Sequence, residues 1–373
     1  MVEFLTRVVL PQLRHRLWWT ATDRFPAPSC PGSDSAERDL SDSQQTISVA
    51  TAPKPIRRIA AYGICSDSDG RTLLVRASPQ SGTPGVWSLP GGAVDHGEPP
   101  VETVVRETAA ETGLSVAVVK LIDVQADLRS VPGRRPTVSP PSPAAGDERV
   151  AIHTDRLIFE IRVRGGLLRD RVGQPTDLAR YVPADEFATL PLRPFAATAL
   201  GLPAGRDERP DDPGDLPSFN PLPGPDGLPR AQRFAAYAVA TDPRGRLLLT
   251  RIAAGYPGGG RWHLPGGGTD YGEQPGVAVI REVAEETGQS GRLLALLGVA
   301  SHRDPASMGP EGYPIDWHGV RAFYRVMVDH PTRPRVMDAG GSTAAARWFS
   351  PSQLLGLPMT EVTSEALAQT DTR

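Results

Sequence analysis

The chain has 373 residues, of which 39% are hydrophobic and 22% charged, so it can fold into two domains with ordinary cores. Its formal net charge of -3 does not favour binding to a nucleic acid polymer, since domains with that function are usually basic. No apolar run approaches the roughly 18 residues that a membrane-spanning helix needs, so no membrane association is expected. Only Cys30 and Cys65 are present, which excludes a disulfide framework and favours a reducing, cytoplasmic compartment.

The first segment, residues 1–56, is predicted to be a largely disordered extension. Residues 20–56 are rich in Ser, Asp, Pro, Thr and Ala and have few periodic apolar positions. The apolar residues before them are interrupted by Pro11 and by arginines, unlike the unbroken apolar stretch of a secretion signal.

Two copies of one domain follow. Arg58-Ile-Ala-Ala-Tyr62 returns as Arg233-Phe-Ala-Ala-Tyr237, and the segment that begins Trp-Ser-Leu-Pro at position 87 returns as Trp-His-Leu-Pro at position 262. From 58 to 233 and from 87 to 262 the offset is the same 175 residues, which indicates a duplication rather than shared composition. We therefore predict domains over 57–200 and 231–373, joined over 201–230 by a linker rich in Pro, Gly and Asp.

Each copy is predicted to have the same order of elements, which defines a mixed α/β class. In the first copy we expect strands over 58–65, 72–77, 115–125 and 151–163, a helix over 100–112 and a final short helix beginning near 184. In the second copy we expect strands over 233–240, 247–252, 291–300 and 317–328, a helix over 275–287 and a final short helix beginning near 351. Residues 127–149 are Pro-rich and are predicted to form a mobile loop.

The second copy carries carboxylates at a fixed spacing. Glu282, Glu285 and Glu286 fall at i, i+3 and i+4, so they share one face of the predicted helix. Three carboxylates on one face repel each other unless a cation lies among them, and hard oxygen ligands suit Mg²⁺ or Mn²⁺. Such an ion can bridge phosphate oxygens, neutralise charge and activate water. A merely solvated acidic face would not need Arg281 and Glu273 at set distances.

The complete pattern, from Gly267 through Glu273 and Arg281 to Gly288, resembles the Nudix box, G-x5-E-x7-R-E-U-x-E-E-x-G-U, where U is a bulky apolar residue. Only the last position departs, because Gln289 stands there. The resemblance implies two Nudix-type α/β/α sandwich domains with mixed β-sheets. It also implies a hydrolase that cleaves the pyrophosphate bond of a nucleoside diphosphate linked to another moiety, such as ADP-ribose, a nucleotide sugar or a (d)NTP-like compound.

The resemblance assigns roles to residues of the second box. Arg281 would orient the glutamates through charge-assisted hydrogen bonds. The motif does not fix the general base, so Glu285, Glu286 or a glutamate outside the box could serve. The residues implied in binding the metal ions or holding their loop are Gly267, Glu273, Glu282, Glu285 and Glu286.

The box of the first copy is degenerate. Ala110 stands where the second copy has Glu285, and Thr108 replaces the apolar Val283. One of three metal carboxylates is missing, so we predict a first copy that is inactive or much impaired and that binds substrate, helps dimerise or supports its partner copy. The positions that still match the box are Gly92, Glu98, Arg106, Glu107, Glu111 and Gly113.

Weaker signals leave alternatives open. His153 and Arg156 reappear as His318 and Arg321, and a substrate role competes with ordinary pairing on a strand surface. A spacing of three puts the two residues of each pair on opposite faces of a regular strand. For the whole chain, the alternative to an enzyme is a non-catalytic protein that senses nucleotides or regulates in response to them. The expected partner is a small nucleotide, and a homodimer stays open.

Overall fold

The computed structural model describes residues 54–132, 149–170, 175–203, 222–225, 227–308, 314–337 and 341–370. The predicted disorder before residue 54 and the middle parts of the predicted loop and linker lie outside the described residues. Among the helices that are described, none is both long and apolar enough to cross a membrane.

The first copy contains seven strands among its described residues. They are β1 (Lys54–Ile64), β2 (Thr72–Ala77), β3 (Trp87–Ser88), β4 (Gly91–Ala93), β5 (Leu114–Pro132), β6 (Arg149–Gly166) and β7 (Thr176–Val182). The helices are α1 (Pro100–Thr112) and the short α2 (Pro194–Ala199), with a 3₁₀ turn at Ala184–Thr189.

The second copy repeats this order after a short added strand. The strands are β8 (Leu222–Pro223), β9 (Pro229–Thr241), β10 (Leu247–Ile252), β11 (Trp262–His263), β12 (Gly266–Gly268), β13 (Arg292–Met308), β14 (Pro314–Met327) and β15 (Thr343–Phe349). The helices are α3 (Pro275–Thr287) and α4 (Glu361–Thr370), with a 3₁₀ turn at Pro351–Leu354.

The central sheet of each copy is mixed. In the first copy β1 runs parallel to β6 and antiparallel to β4, and β6 pairs antiparallel with β5. In the second copy β9 runs parallel to β14 and antiparallel to β12, and β14 pairs antiparallel with β13. The predicted mixed α/β class is therefore confirmed.

Helices α1 and α3 begin and end where the sequence predicts. Each has a proline at its first positions, where the missing N–H has no partner to lose. Each ends at a glycine, Gly113 or Gly288, whose φ of 76° or 66° lies in the left-handed region that glycine adopts at little cost. Ala278, Val279 and Val283 of α3 are buried in the apolar core and Glu286 is buried beside them, so the box carboxylates lie along the border of this buried face.

Other predicted boundaries need correction. Strands β5 and β6 extend to Pro132 and from Arg149, well into the segment predicted as a loop, because from Asp123 to Pro132 strand β5 pairs with β6 in an unbroken antiparallel register. Pairing supplies the backbone hydrogen bonds that the local composition does not suggest. Strands β8 and β9 likewise begin within the predicted linker. The final helices α2 and α4 start about ten residues after their predicted positions, which hold the 3₁₀ turns instead.

The two copies pack against each other. Strand β5 of the first copy contacts β13 and α3 of the second. Buried residues of both copies, among them Val124 and Tyr324, belong to one continuous apolar cluster. The loops that carry the two boxes lie along this contact. Each loop donates a backbone hydrogen bond to a histidine of the other copy.

Candidate active site

Arg281 is the centre of the box in the second copy. Its Nε and Nη2 atoms each donate a 2.9 Å hydrogen bond to the carboxylate of Glu273, in the bidentate geometry that is strongest for this pair. Its Nη1 atom donates 3.0 Å bonds to both Glu282 and Glu285. Its Nη2 atom also reaches the carbonyl of Gly268 at 3.2 Å. One guanidinium therefore connects three of the four box carboxylates to the loop.

These contacts set the charge states of the cluster. Hydrogen bonds to Glu273 raise the pKa of Arg281 above its usual value, so the guanidinium stays charged. Burial alone would raise the pKa of Glu273, but hydrogen bonds from Arg281 and the Asp270 amide lower it overall. Burial raises the pKa of Glu282, and Arg281 offsets this only in part. Glu282 is thus a carboxylate that a further cation would stabilise.

Glu286 is held by the box loop and by Thr343. Its Oε2 atom accepts a 2.9 Å hydrogen bond from the Gly266 amide, and its Oε1 atom accepts one from the Thr343 hydroxyl. The loop can make this approach because Gly266 has a φ of 148°, and a Cβ there would lie 2.3 Å from the carbonyl oxygen of Ala236. Glu286 is only 9% exposed, so its carboxylate is fixed by the loop.

Gly267 has a different role from Gly266. A Cβ at Gly267 would lie 2.5 Å from Oε1 of Glu282, so only a glycine lets this carboxylate lie against the loop.

The fold also accommodates Gln289, the residue that departs from the pattern at the end of the box. Gln289 is buried, and its side-chain amide exchanges hydrogen bonds of 2.9 Å with the backbone N–H and the hydroxyl of Thr332.

The carboxylates of the second box do not converge on a single point. Within the described residues, no three His, Cys, Asp or Glu side chains are arranged as a metal cluster. The reason is local, since Arg281 draws Glu282 and Glu285 to itself while the loop holds Glu286. The donor set still suits a hard divalent cation, because this helix edge offers carboxylate oxygens at i, i+3 and i+4.

The first copy keeps the same frame without one carboxylate. Arg106 donates hydrogen bonds of 2.7 and 2.8 Å to Glu98 and one of 2.6 Å to Glu107. Glu111 accepts a 2.8 Å bond from the Gly91 amide, and burial raises the pKa of Glu111 to about 8. Ala110 offers no oxygen in place of Glu285. The first box therefore keeps the hydrogen-bonded frame of the second and lacks one of its carboxylates.

A second difference lies on the other face of the central sheet. In the first copy Arg156 forms an ion pair with Asp127, and its guanidinium lies 4.5 Å from the ring centroid of Phe195. The Phe195 ring also packs 4.4 Å from the ring of Tyr62. The arginine is thus neutralised, and an aromatic side chain covers it.

The corresponding arginine of the second copy, Arg321, lacks such an ion pair. By strand register His302 takes the position of Asp127, and Arg321 has no hydrogen bond or ion pair with any described residue. Arg233 likewise has none in this part of the chain, and its buried Nε lacks an acceptor. Burial raises the pKa of Tyr237, and the positive charges of Arg321 and Arg233 oppose that rise. Two cations therefore lie beside Tyr237 near the box.

The repeated histidines lie where the two copies meet. His153 and His318 are fully buried, and each accepts a hydrogen bond from the box loop of the other copy. Sequence reasoning gave no role to Arg233, although it lies in the repeated Arg-x-Ala-Ala-Tyr segment that could have indicated it.

Comparison with known proteins assigns the family. The family model for the NUDIX domain matches residues 56–200 and 231–369, which is more than half of the chain, so the chain belongs to the Nudix family. Because the model matches twice, the predicted tandem organisation of Nudix domains is confirmed.

Individual relatives match over shorter stretches. A MutT-like protein of Streptomyces ambofaciens is 37% identical over 75 residues, which are 20% of this chain and 46% of that protein. Diphosphoinositol polyphosphate phosphohydrolase 3-alpha of Homo sapiens is 39% identical over 82 residues, 22% of this chain and 47% of that protein. The chain thus spans about half the length of these relatives. The solved MutT NUDIX hydrolase from Burkholderia pseudomallei is 32% identical and covers 37% of this chain and 97% of its own, with a TM-score of 0.29.

Proposed function

We propose that the chain is a divalent-metal-dependent pyrophosphohydrolase whose active unit is the second copy, residues 231–373. The first copy, residues 57–200, is inactive in this proposal, and the segments 1–56 and 201–230 are an extension and a linker. The observation that carries the proposal is the contrast at one position. Glu285 bonds to Arg281 in the second box, whereas Ala110 leaves the equivalent place in the first box without an oxygen.

Glu282, Glu285 and Glu286 would hold Mg²⁺ or Mn²⁺, with Gly267 and Glu273 shaping the loop beside them. When bound, the ion would neutralise charge on the pyrophosphate and lower the pKa of an attacking water. Arg281 keeps Glu273, Glu282 and Glu285 in place through its hydrogen bonds. Glu285 is 48% exposed at its side chain, so of the two glutamates expected to act on water it is the one that reaches solvent.

Substrate recognition falls to the two arginines beside Tyr237. Arg233 and Arg321 place two positive charges beside Tyr237, and burial there makes each charge more effective than it would be in water. This arrangement favours a diphosphate-containing anion, and the substrate class proposed is a nucleoside diphosphate linked to another moiety. The human relative named above acts, by its name, on a diphosphoinositol polyphosphate, which shares the diphosphate group.

The test is turnover of a substrate panel with Mg²⁺ or Mn²⁺. The panel holds ADP-ribose, a nucleotide sugar, a dinucleoside polyphosphate, NADH, dNTPs and a diphosphoinositol polyphosphate. The wild-type chain is compared with Glu286→Gln and with its matched control in the first copy, Glu111→Gln. We expect metal-dependent turnover that Glu286→Gln lowers at least about 100-fold and Glu111→Gln leaves intact.

Two outcomes would contradict the proposal. Equal loss in both variants would show that the copies work together at one site. Binding of a panel compound without any turnover would support the alternative, a Nudix protein that senses nucleotides. A homodimer of the chain stays a prediction, to be checked by its mass in solution.

A further inference from the structure

The first copy holds the box loop of the second copy at three points. Arg57 on β1 donates hydrogen bonds to the backbone carbonyl and the hydroxyl of Thr269, at 2.6 and 2.5 Å. His153 on β6 accepts a 2.8 Å bond from the Gly272 amide. The backbone of Ala126 on β5 exchanges two bonds with the side-chain amide of Gln274. The held residues span the whole segment between the glycines of the box and the first turn of α3.

The chemistry of His153 makes its contact specific. A backbone N–H can only donate, so the Nδ1 atom of the ring must carry a lone pair, and the proton of the neutral ring lies on Nε2. There it faces Asp155, whose Oδ1 atom is 3.0 Å away. Both His153 and Asp155 are fully buried, so the ring is held in one orientation and its acceptor is fixed toward Gly272.

The held loop leads directly into the charge cluster. Glu273 follows Gly272 in the chain, and its carboxylate is clamped by Arg281. Arg281 in turn positions Glu282 and Glu285. A shift of the Gly272 backbone would therefore pass through Glu273 and Arg281 to the two glutamates on the helix.

Reverse contacts exist as well, and they include His96 in the first loop, whose Nε2 atom lies 3.2 Å from Oδ1 of the buried Asp316. His318 accepts a 3.0 Å bond from the Gly97 amide, and Gln232 donates a 3.2 Å bond to the carbonyl of Val94. At the position of Gln274 the first copy has Pro99, which has no side-chain donor. At the position of Thr269 it has Val94, which has no hydroxyl. Each loop is thus held by the other copy, but through different side chains.

We infer that Arg57 and His153 are positioning residues, through which the degenerate first copy keeps the box loop of the second copy in its working shape. The inference rests on the proposed function only in taking the second copy as the active one. It gives the first copy a role that needs no chemistry of its own. It also makes each copy unsuited to work alone, since both His153 and His318 would lose their amide donors.

The test uses the full chain without ligand and follows hydrogen exchange of the box loops. His153→Ala removes the acceptor, whereas His153→Asn keeps one, because Oδ1 of asparagine is as many bonds from Cα as Nδ1 of histidine. His318→Ala is the matched control, since it releases the loop of the first copy instead. Gln274→Ala removes the two hydrogen bonds to Ala126 by changing an exposed side chain. This variant therefore still tests the inference if the variants at the buried histidines do not fold.

We expect His153→Ala to speed exchange within 269–274 by about tenfold and to leave 94–97 unchanged, with His153→Asn close to the wild type. His318→Ala should do the reverse, and Gln274→Ala should act on 269–274 alone. In a parallel titration, His153→Ala should weaken Mn²⁺ binding by about tenfold and His318→Ala should not. Unchanged exchange at 269–274 in His153→Ala, or equal loosening of both loops by both histidine variants, would overturn the inference. If the wild type binds no Mn²⁺, the proposed function fails and the exchange data still decide the positioning role.

Discussion

The backbone amide of Gly266 donates a 2.9 Å hydrogen bond to Oε2 of Glu286, which lies 20 residues later on α3. The same bond joins Gly91 to Glu111 in the first copy at 2.8 Å. The two boxes thus share one backbone frame, in which the loop and the helix are tied by a carboxylate. What separates them is the side chains added to that frame, and these differences allow specific tests.

Thr108 should be a weak point of the first copy. Its hydroxyl is buried and has no hydrogen-bond partner, whereas the equivalent Val283 is buried without a polar group. Thr108→Val should raise the free energy of unfolding by about 1 kcal/mol, because it removes an unsatisfied hydroxyl. Val283→Thr is the matched control and should lower it by a similar amount. Urea unfolding measures both, and a Thr108→Val chain less stable than the wild type would contradict this assignment.

Restoring the missing carboxylate should not by itself create an active first copy. Ala110→Glu, made in a chain already carrying Glu286→Gln, completes the first box but leaves Arg156 paired with Asp127 and covered by Phe195. Turnover of the panel substrate should therefore stay at least about 100-fold below the wild type. Recovery to near wild-type turnover would show that the carboxylate alone separates the two copies.

Arg321 should affect substrate affinity. Arg321→Ala removes a positive charge beside Tyr237, so KM should rise by about tenfold, as expected for losing a charge-assisted bond to phosphate. Arg156→Gln is the control, because Asp127 already neutralises that arginine, and it should leave KM unchanged. Steady-state kinetics on the panel substrate give both values. An unchanged KM in Arg321→Ala would remove this arginine from the substrate site.

The contact between the copies should weaken in acid. Burial, with the positive charges of His96 and Arg303, lowers the pKa of His318 to about 4. The unfolded chain, with an ordinary pKa near 6.5, therefore takes up a proton between about pH 6.5 and 4 that the folded chain excludes. Stability is then full above pH 6.5 and falls as the pH drops through this window. The charges of Asp316 and Arg321 also act on the pKa of His318, Asp316 raising it and Arg321 lowering it.

His318→Asn keeps an acceptor for the Gly97 amide and cannot titrate. Between pH 7.5 and 4.5 the wild type should lose about 2 kcal/mol more stability than this variant. Burial also lowers the pKa of His263 to about 4, but His263 titrates in both chains and so does not affect the difference. Unfolding midpoints across this pH range provide the measurement. Parallel curves for the two chains would contradict a buried, neutral His318.

Parts of the fold follow from the sequence because local signals agree. The proline at the start and the glycine at the end of α1 and α3 fix both helices within the predicted limits. The extents of β5 and β6 do not follow, because their outer ends are held by pairing with each other and not by composition. Short strands such as β4 and β12 consist mainly of glycines, which carry no strand preference of their own.

The candidate site divides in the same way. Glu273, Arg281 and the glutamates of α3 lie within 14 consecutive positions, so their spacing alone predicts their contacts. The bond between Gly272 and His153 joins residues 119 positions apart, and its donor is a backbone amide that no motif encodes. The pairing of Arg156 with Asp127 depends on strand register across β5 and β6, which a single sequence does not fix.

The most direct test of an active second copy is Mn²⁺ binding followed by electron paramagnetic resonance, which needs no knowledge of the substrate. Glu282→Gln and Glu107→Gln form a matched pair, since each carboxylate lies against the second glycine of its own loop and bonds to its own box arginine. We predict that Glu282→Gln weakens the tightest Mn²⁺ binding at least about tenfold, whereas Glu107→Gln leaves it unchanged. Tight Mn²⁺ binding that survives Glu282→Gln, or that is lost in Glu107→Gln, would contradict a metal centre confined to the second copy.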